Sequence, residues 1–581
     1  MRFRKGHVLK LAVVLLAATQ PAHAQNSRAA PAAGAIDAVF ARYDRESTPG
    51  CSVAVIDAGS VIFRKSYGMA DPALGVPMSS STTSWVPYSE ARVFVAMAVA
   101  MLAEDGQITL DDPIRRHVSQ VPEYAAEVTV RQLLHHTSGL ADYGVLAGPG
   151  FALQDRLSED EFFRMISRWG SLGFPPGQGR MYSNTDYALL KILVERVTGG
   201  TLHDFLAVRL LEPLGMTATR IGFDQSLALP GHALFHEANG DGFRRLLGYR
   251  VSPVGQISVT TNLDDIIRLD GGLRDAETGL ASLLETLKPG ASLADGQPNV
   301  GGYAFGVSQR VHEGLLLRQF QGVGNFTYLV QVVDGDLSVA TLCNVYAGMD
   351  SFAADVARLY FEPDPKDETR SDQTGPAETA ATPESDAIPV PAIILGSYVG
   401  EYRDPTNGSS VDVILVDDRL SITPRGRPSF PALRSVGGGK FETTLGGALF
   451  VLQFSEVEGA MTLTSWDVAA QESGGAPLRR WTPQARSAEQ LSEYAGVYFG
   501  ERVEVVLHIR ADEEGLMLAS SGFAESQLSP EQTPDHFRLI NRDAARFERD
   551  GGGRVVAVTL DSTRVKGIRF TRDEQEAVPT R

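Results

Sequence analysis

Ser89-Glu90-Ala91-Arg92-Val93-Phe94-Val95-Ala96-Met97-Ala98-Val99-Ala100-Met101-Leu102-Ala103 is the stretch on which the reading of this chain turns. Every residue from Val93 to Ala103 is apolar, so the segment predicts a helix that is hydrophobic all round and belongs inside a core. A hydroxyl and a guanidinium stand three residues apart at its N-terminal turn, on one face of the helix. The macrodipole and free N–H groups at that turn favour negative charge developing on a nucleophile. Taken alone, Ser89 reads more simply as an N-cap, the commoner role of a serine in front of a helix.

Outward from this helix, the next informative stretch is Met181-Tyr182-Ser183-Asn184, preceded by Phe174-Pro175-Pro176-Gly177 and followed by a predicted helix from Tyr187 to Thr198. Tyr182 can shuttle a proton and Asn184 can hold a substrate carbonyl, although the triplet by itself reads equally as a turn with an N-capping Asn. Three blocks keep it company: Glu104 to Pro113, Val130 through His135-His136-Thr137-Ser138-Gly139-Leu140, and Glu212-Pro213-Leu214-Gly215-Met216. In this order, and together with Ser89-x-x-Arg92, these residues resemble the serine β-lactamase and D-alanyl-D-alanine carboxypeptidase family, in its class C and esterase-like branch, over residues 35–361.

The resemblance implies an α+β fold of the β-lactamase/transpeptidase type: an antiparallel sheet flanked by helices, an inserted helical subdomain, and an active site in the crevice between them. It further implies that Ser89 is the acylated nucleophile, that position 92 and Tyr182 form the proton relay, and that Asn184 contacts the substrate. The block from His136 to Leu140 carries most of the resemblance. Its glycine and hydroxyls suit a tight loop, so it is read as structural and given no catalytic role.

The sequence departs from the family pattern twice. The lysine of Ser-x-x-Lys is Arg92, and a guanidinium cannot be deprotonated near neutral pH, so it cannot act as general base. The Lys-Thr-Gly or His-x-Gly triad falls by length on Gln319-Phe320-Gln321, or after a slip of two residues on Gln321-Gly322-Val323. Either placement lacks the cation that would pair with a substrate carboxylate, and Gln319 and Gln321 become the expected substrate-binding residues. A fixed cation about 4 Å from Tyr182 would stabilise its phenolate by ~4 kcal/mol at an effective dielectric of 20, which makes Tyr182 the expected base for Ser89. The first reading is therefore a serine hydrolase acting on an ester, amide or peptide bond, attenuated by Arg92. The alternative is a pseudoenzyme that binds a peptidoglycan-like ligand, or a protein partner through the pocket or the C-terminal modules.

At the start of the chain Arg2, Arg4 and Lys5 precede an apolar stretch from Leu11 to Ala18 and then Ala22-His23-Ala24, which reads as a secretory signal over residues 1–24. The expected location is the bacterial periplasm or outside the cell. No later segment has the roughly 20 apolar residues of a membrane span. A formal net charge of -18 speaks against nucleic acid or an anionic membrane surface as partner. No metal or other cofactor is expected, since His135 and His136 are adjacent and cannot face one ion from a helix. The expected partner is a small-molecule or peptide substrate, with the oligomeric state unspecified. Cys51 and Cys343 both sit in strand-like runs and are either bridged or two buried thiols.

Strand-like runs gather at both ends of residues 35–361, Val53 to Ile56 and Val61 to Tyr67 at one end, Tyr328 to Val333 and Leu337 to Leu342 at the other. With helices between them, they predict one sheet closed by the two termini. Residues 362–392 are rich in Pro, Thr, Ser, Ala and acidic residues and read as a linker. Beyond it Leu395-x-x-Tyr398-x-Gly400-x-Tyr402 returns 96 residues later as Leu491-x-x-Tyr494-x-Gly496-x-Tyr498. Two copies of one small all-β module, lipocalin-like barrels over residues 393–481 and 487–575, are expected, with a hairpin over Phe547 to Val555.

Overall fold

The computed structural model describes residues 31–86, 91–147, 157–222, 229–239, 242–245, 259–275, 303–361 and 390–573, the last two spans apart from short stretches between strands. The signal-like segment, Ser89 and most of the linker lie outside the described residues.

The first domain is organised on a seven-stranded sheet. Its strands in chain order are β1 (Cys51–Asp57), β2 (Ser60–Tyr67), β3 (Tyr303–Ala304), β4 (Val307–His312), β5 (Leu315–Gln321), β6 (Thr327–Val332) and β7 (Leu337–Cys343). They lie in the order β3-β4-β5-β6-β7-β1-β2, every pair antiparallel. The N-terminal hairpin thus pairs with the last strand, as the clustering of strand-like runs predicts. β1 is buried on both faces from Cys51 to Ile56 because both are covered. Val53 and Val55 pack with Phe40, Leu317, Val330, Val339 and Val356 on one face, beneath α1 (Ala35–Phe40) and the helix Phe352–Arg358. Ala54, Phe320 and Leu329 face the opposite side.

That opposite side receives α2 (Arg92–Glu104), the all-apolar segment, in which every residue from Arg92 to Leu102 is buried. Around it stand α3 (Val130–Leu134), α4 (Tyr143–Leu146), α5 (Glu159–Trp169) and α6 (Asn184–Thr198). Burying each of its large aliphatic side chains contributes about 1.5–3 kcal/mol, which is why α2 needs no amphipathic face. The sheet backbone comes up against its first turn at Gly306, where φ is +78° and an added Cβ would lie 2.5 Å from the Val93 nitrogen. Only glycine permits that approach.

Cys51 and Cys343 are opposite each other in the β1–β7 register and form a disulfide. The choice left open by the sequence falls on the bridge.

The repeat resolves into two β modules. Nine strands between Gly400 and Trp481 form the first sheet, and the strands from Gly496 to Arg572 close an eight-stranded barrel. The repeated residues do the same work in both copies. Tyr402 donates its hydroxyl to the Tyr398 carbonyl at 2.9 Å, and Tyr498 donates to the Tyr494 carbonyl at 2.7 Å. Arg480 donates to the Ser397 and Val399 carbonyls, and Arg572 to those of Glu493 and Ala495. The motif glycines exist for these guanidinium groups: a Cβ on Gly400 would sit 2.8 Å from Arg480 Nε, and one on Gly496 would sit 2.7 Å from Arg572 Nε. The expected hairpin is present, Ala544–Arg549 pairing with Val555–Asp561.

Because the Tyr498 hydroxyl is buried against a single backbone carbonyl, Tyr498→Phe is expected to destabilise the second module by about 1–2 kcal/mol. A urea titration of the purified protein checks it, and an unchanged midpoint would remove the hydroxyl from the account. Among the described residues no helix is long and apolar enough to cross a membrane.

Candidate active site

Arg92 opens α2 and is 4% exposed, an unusual place for a guanidinium. It is buried because its donors are received. Nη2 donates to the Asn184 side-chain oxygen, and Nη1 lies 3.4 Å from His136 Nε2. The guanidinium carbon stands 4.4 Å from the Tyr182 ring centroid and 4.8 Å from that of Tyr187. A planar cation between two aromatic rings gains about 0.5–2 kcal/mol per contact, more as water is excluded.

The His136 and Asn184 side chains are each held by a carboxylate behind them. The Asn184 Nδ2 donates to both Asp142 oxygens, at 3.0 and 2.9 Å, and the Gly144 N–H donates to the same carboxylate at 2.8 Å. Behind His136, Nδ1 lies 2.8 Å from Asp186 Oδ2, and the Ser138 hydroxyl donates to Asp186 Oδ1 at 2.6 Å. His136, Ser138, Asp142 and Asp186 are all fully buried.

A guanidinium has no acceptor, so His136 Nε2 must accept from Arg92 and the imidazole proton must sit on Nδ1, facing Asp186. The Ser183 N–H also approaches Nδ1, at 3.3 Å, and fits the other tautomer. We favour the Nδ1–H form because it satisfies both the guanidinium and the shorter carboxylate contact. Burial holds the Asp186 carboxyl well above the ordinary carboxylate range, the Ser138 hydrogen bond and the Arg92 charge opposing it only in part and the Asp142 charge adding to it. Burial likewise raises the Tyr143 phenol, with the Asp142 charge adding to it and Arg92 opposing it.

Local sequence explains the placement. Ser183, not Asn184, caps α6 by accepting from the Thr185 N–H at 3.2 Å, so Asn184 is the first helical residue and its amide is free to reach Arg92 and Asp142. Asp142 caps α4 through Gly144. His136 takes φ +58°, a left-handed conformation that turns the chain at the end of α3 and sets its ring toward Arg92. Outside this group, α4 and α5 lean on the second β module: Ala141, Leu146 and Trp169 share a core with Leu491, Tyr498 and Leu507. Arg502 stacks on Trp169 at 5.7 Å and Arg168 pairs with Glu504.

Of the residues expected from the sequence, Arg92, Tyr182 and Asn184 are brought together. Ser89 lies outside the described residues. Gln319 stands elsewhere: it is in register with Val330 and two residues from Leu317, hence on the face under the terminal helices. Both of its amide atoms are buried there without a hydrogen-bond partner. Gln321 ends β5 beyond a register irregularity, paired with Thr327. His136, Ser138, Asp142 and Asp186 were not singled out as site residues from the sequence. Their signal is a set of polar residues set among segments that otherwise read as core.

An antiparallel sheet with a buried central helix, at whose first turn Arg92, Tyr182 and Asn184 meet, is a fold of the β-lactamase/transpeptidase type. The β-lactamase family model matches residues 36–385, and the chain belongs to that family. Among curated relatives, it is 23% identical over 558 residues to the D-aminopeptidase of Brucella canis, covering 90% of this chain and 96% of that protein. It is 30% identical over 174 residues to penicillin-binding protein 4* of Bacillus subtilis, which is 29% of this chain and 37% of that protein. Among solved structures, the octameric penicillin-binding protein homologue from Pyrococcus abyssi superposes with a TM-score of 0.49 at 20% identity, over 76% of this chain and 98% of that one. The D-amino acid amidase of Ochrobactrum anthropi gives a TM-score of 0.45 at 20% identity, over 56% and 97%.

Proposed function

We propose that the chain is a serine hydrolase that forms an acyl-enzyme at Ser89 on an ester, amide or peptide bond, with Tyr182 as proton relay and Arg92 as a permanent cation beside it. The observation that carries this reading is the retained triangle of Arg92, Tyr182 and Asn184 at the first turn of α2. Tyr182 takes the proton from the Ser89 hydroxyl as that oxygen attacks the carbonyl carbon, and returns it to the leaving group as the tetrahedral intermediate collapses. Arg92 stands over the Tyr182 ring as a fixed cation and transfers no proton itself. Asn184, engaged by Arg92 and Asp142, holds the cation in place. The similarity to a D-aminopeptidase over most of both chains favours small amide or peptide substrates.

The second reading is a pseudoenzyme that binds a peptidoglycan-like ligand without turnover. It is favoured by one observation, a cation at position 92 that cannot serve as base. Export to the bacterial periplasm belongs to either reading, and the disulfide supports it, since such bridges persist in oxidising compartments.

Intact-mass analysis after incubation with a fluorophosphonate and a panel of β-lactams tests the proposal, with Ser89→Ala beside the parent chain. A mass shift that disappears in Ser89→Ala is the expected result. No shift with any probe would leave the pseudoenzyme as the account.

A further inference from the structure

Two carboxylates stand behind the cation of this site, and their arrangement says more than that an arginine is present. We propose that Asp142 and Asp186 are positioning residues that make position 92 a permanent cation site, whichever basic side chain occupies it. This rests on the hydrolase reading only for its consequence in catalysis; the charge argument stands without it.

Arg92 carries one positive charge into a region that holds two buried acidic groups, each one hydrogen bond removed, through Asn184 and through His136. Among the described residues, the other titratable groups facing it are three phenols and an imidazole: Tyr143 from α4, Tyr182 and Tyr187 beside and within α6, and His136 after α3. Among these described residues none is a second guanidinium or ammonium. An amine placed there would meet the Asp142 carboxyl one hydrogen bond away through Asn184, and two acceptors held in place by Asp142 and Asp186, all of which favour its charged form over the neutral one. The geometry is also fitted to a planar fork. A guanidinium reaches Asn184 and His136 from two nitrogens while lying between two rings, whereas an ammonium is a compact point charge on a flexible stem. The arginine is thus the resident for which the surroundings are built, and a lysine in its place would stay protonated and fail to become the base. Any proton acceptor for Ser89 must then be another group.

The test is Arg92→Lys in the full chain, with lysine labelled at the ε carbon and the introduced amine titrated by NMR. The amine is expected to remain protonated beyond its ordinary value of about 10.4. Adding Asp142→Asn or Asp186→Asn should lower its midpoint by about one unit or more in each case. In parallel, fluorophosphonate acylation of Arg92→Lys should run no faster than that of the parent chain. An amine titrating near neutral pH, a midpoint indifferent to both carboxylates, or a tenfold faster acylation would overturn the proposal. The titration does not depend on Ser89 reacting, so failure of the hydrolase reading and failure of this one are separable. Should Arg92→Lys not fold, the ¹⁵N guanidinium signals of Arg92 in the parent chain decide. Slow rotation giving separate Nη resonances, lost in Asp142→Asn and in Asp186→Asn, is expected; averaged signals in the parent chain would refute the clamp.

Discussion

Replacing Arg92 by methionine is expected to destabilise the first domain by roughly 3–5 kcal/mol, the usual cost of removing one partner from a buried ionic group. Methionine nearly matches the stem of arginine in volume, so a cavity is not the main cost. What is lost is the only cation between Asp142 and Asp186 among the described residues around this cluster, both carboxyls being fully buried. His136 Nε2 and the Asn184 oxygen lose their donor at the same time, and each orphaned acceptor costs about 1–3 kcal/mol. The measurement is the urea midpoint of the first domain. Combining Arg92→Met with Asp142→Asn should recover part of the loss, because it removes the carboxylate left without its cation. A single variant within 1 kcal/mol of the parent chain would show that the network is not under electrostatic tension.

The second large effect is expected from the disulfide. Cys51 and Cys343 are separated by 292 residues, so the bridge closes nearly the whole first domain into a loop. In the chain-entropy account such a loop restricts the unfolded state by about 5–6 kcal/mol, an upper value because solvation of the unfolded chain enters as well. Cys51→Ser combined with Cys343→Ser, or full reduction, should lower the unfolding midpoint accordingly while leaving the β1–β7 pairing intact in the folded state. An equal midpoint with and without reductant would mean that the folded and unfolded states are affected alike.

Much of the fold is written in local patterns. A helix apolar on every side can only be a core helix, and the strand Cys51 to Ile56, with apolar residues on both faces, can only be central to a covered sheet. The duplicated Tyr-x-Gly-x-Tyr motif announces two copies of one module because its residues contact backbone groups of their own copy. Arg92, Tyr182 and Asn184, marked by the sequence as candidates, are brought together by the fold. The residues that hold them were not marked in this way, since His136, Asp142 and Asp186 come from separate segments and no short-range pattern links them. Gln319 shows the same limit from the other side. Counting residues put it at the crevice, while the alternation of β5 turns it toward the terminal helices.

The sequence by itself determined which segments must be buried, how many modules follow the linker, and that position 92 carries a charge it cannot give up. Only the tertiary structure decided which acceptors and carboxylates surround that charge and that the two cysteines are joined. The physical reason is distance along the chain. Hydrophobic periodicity and capping act within a few residues, whereas the hydrogen bonds from Arg92 to His136 and Asn184 and the disulfide span 44, 92 and 292 residues, which only the packed sheet and helices bring together.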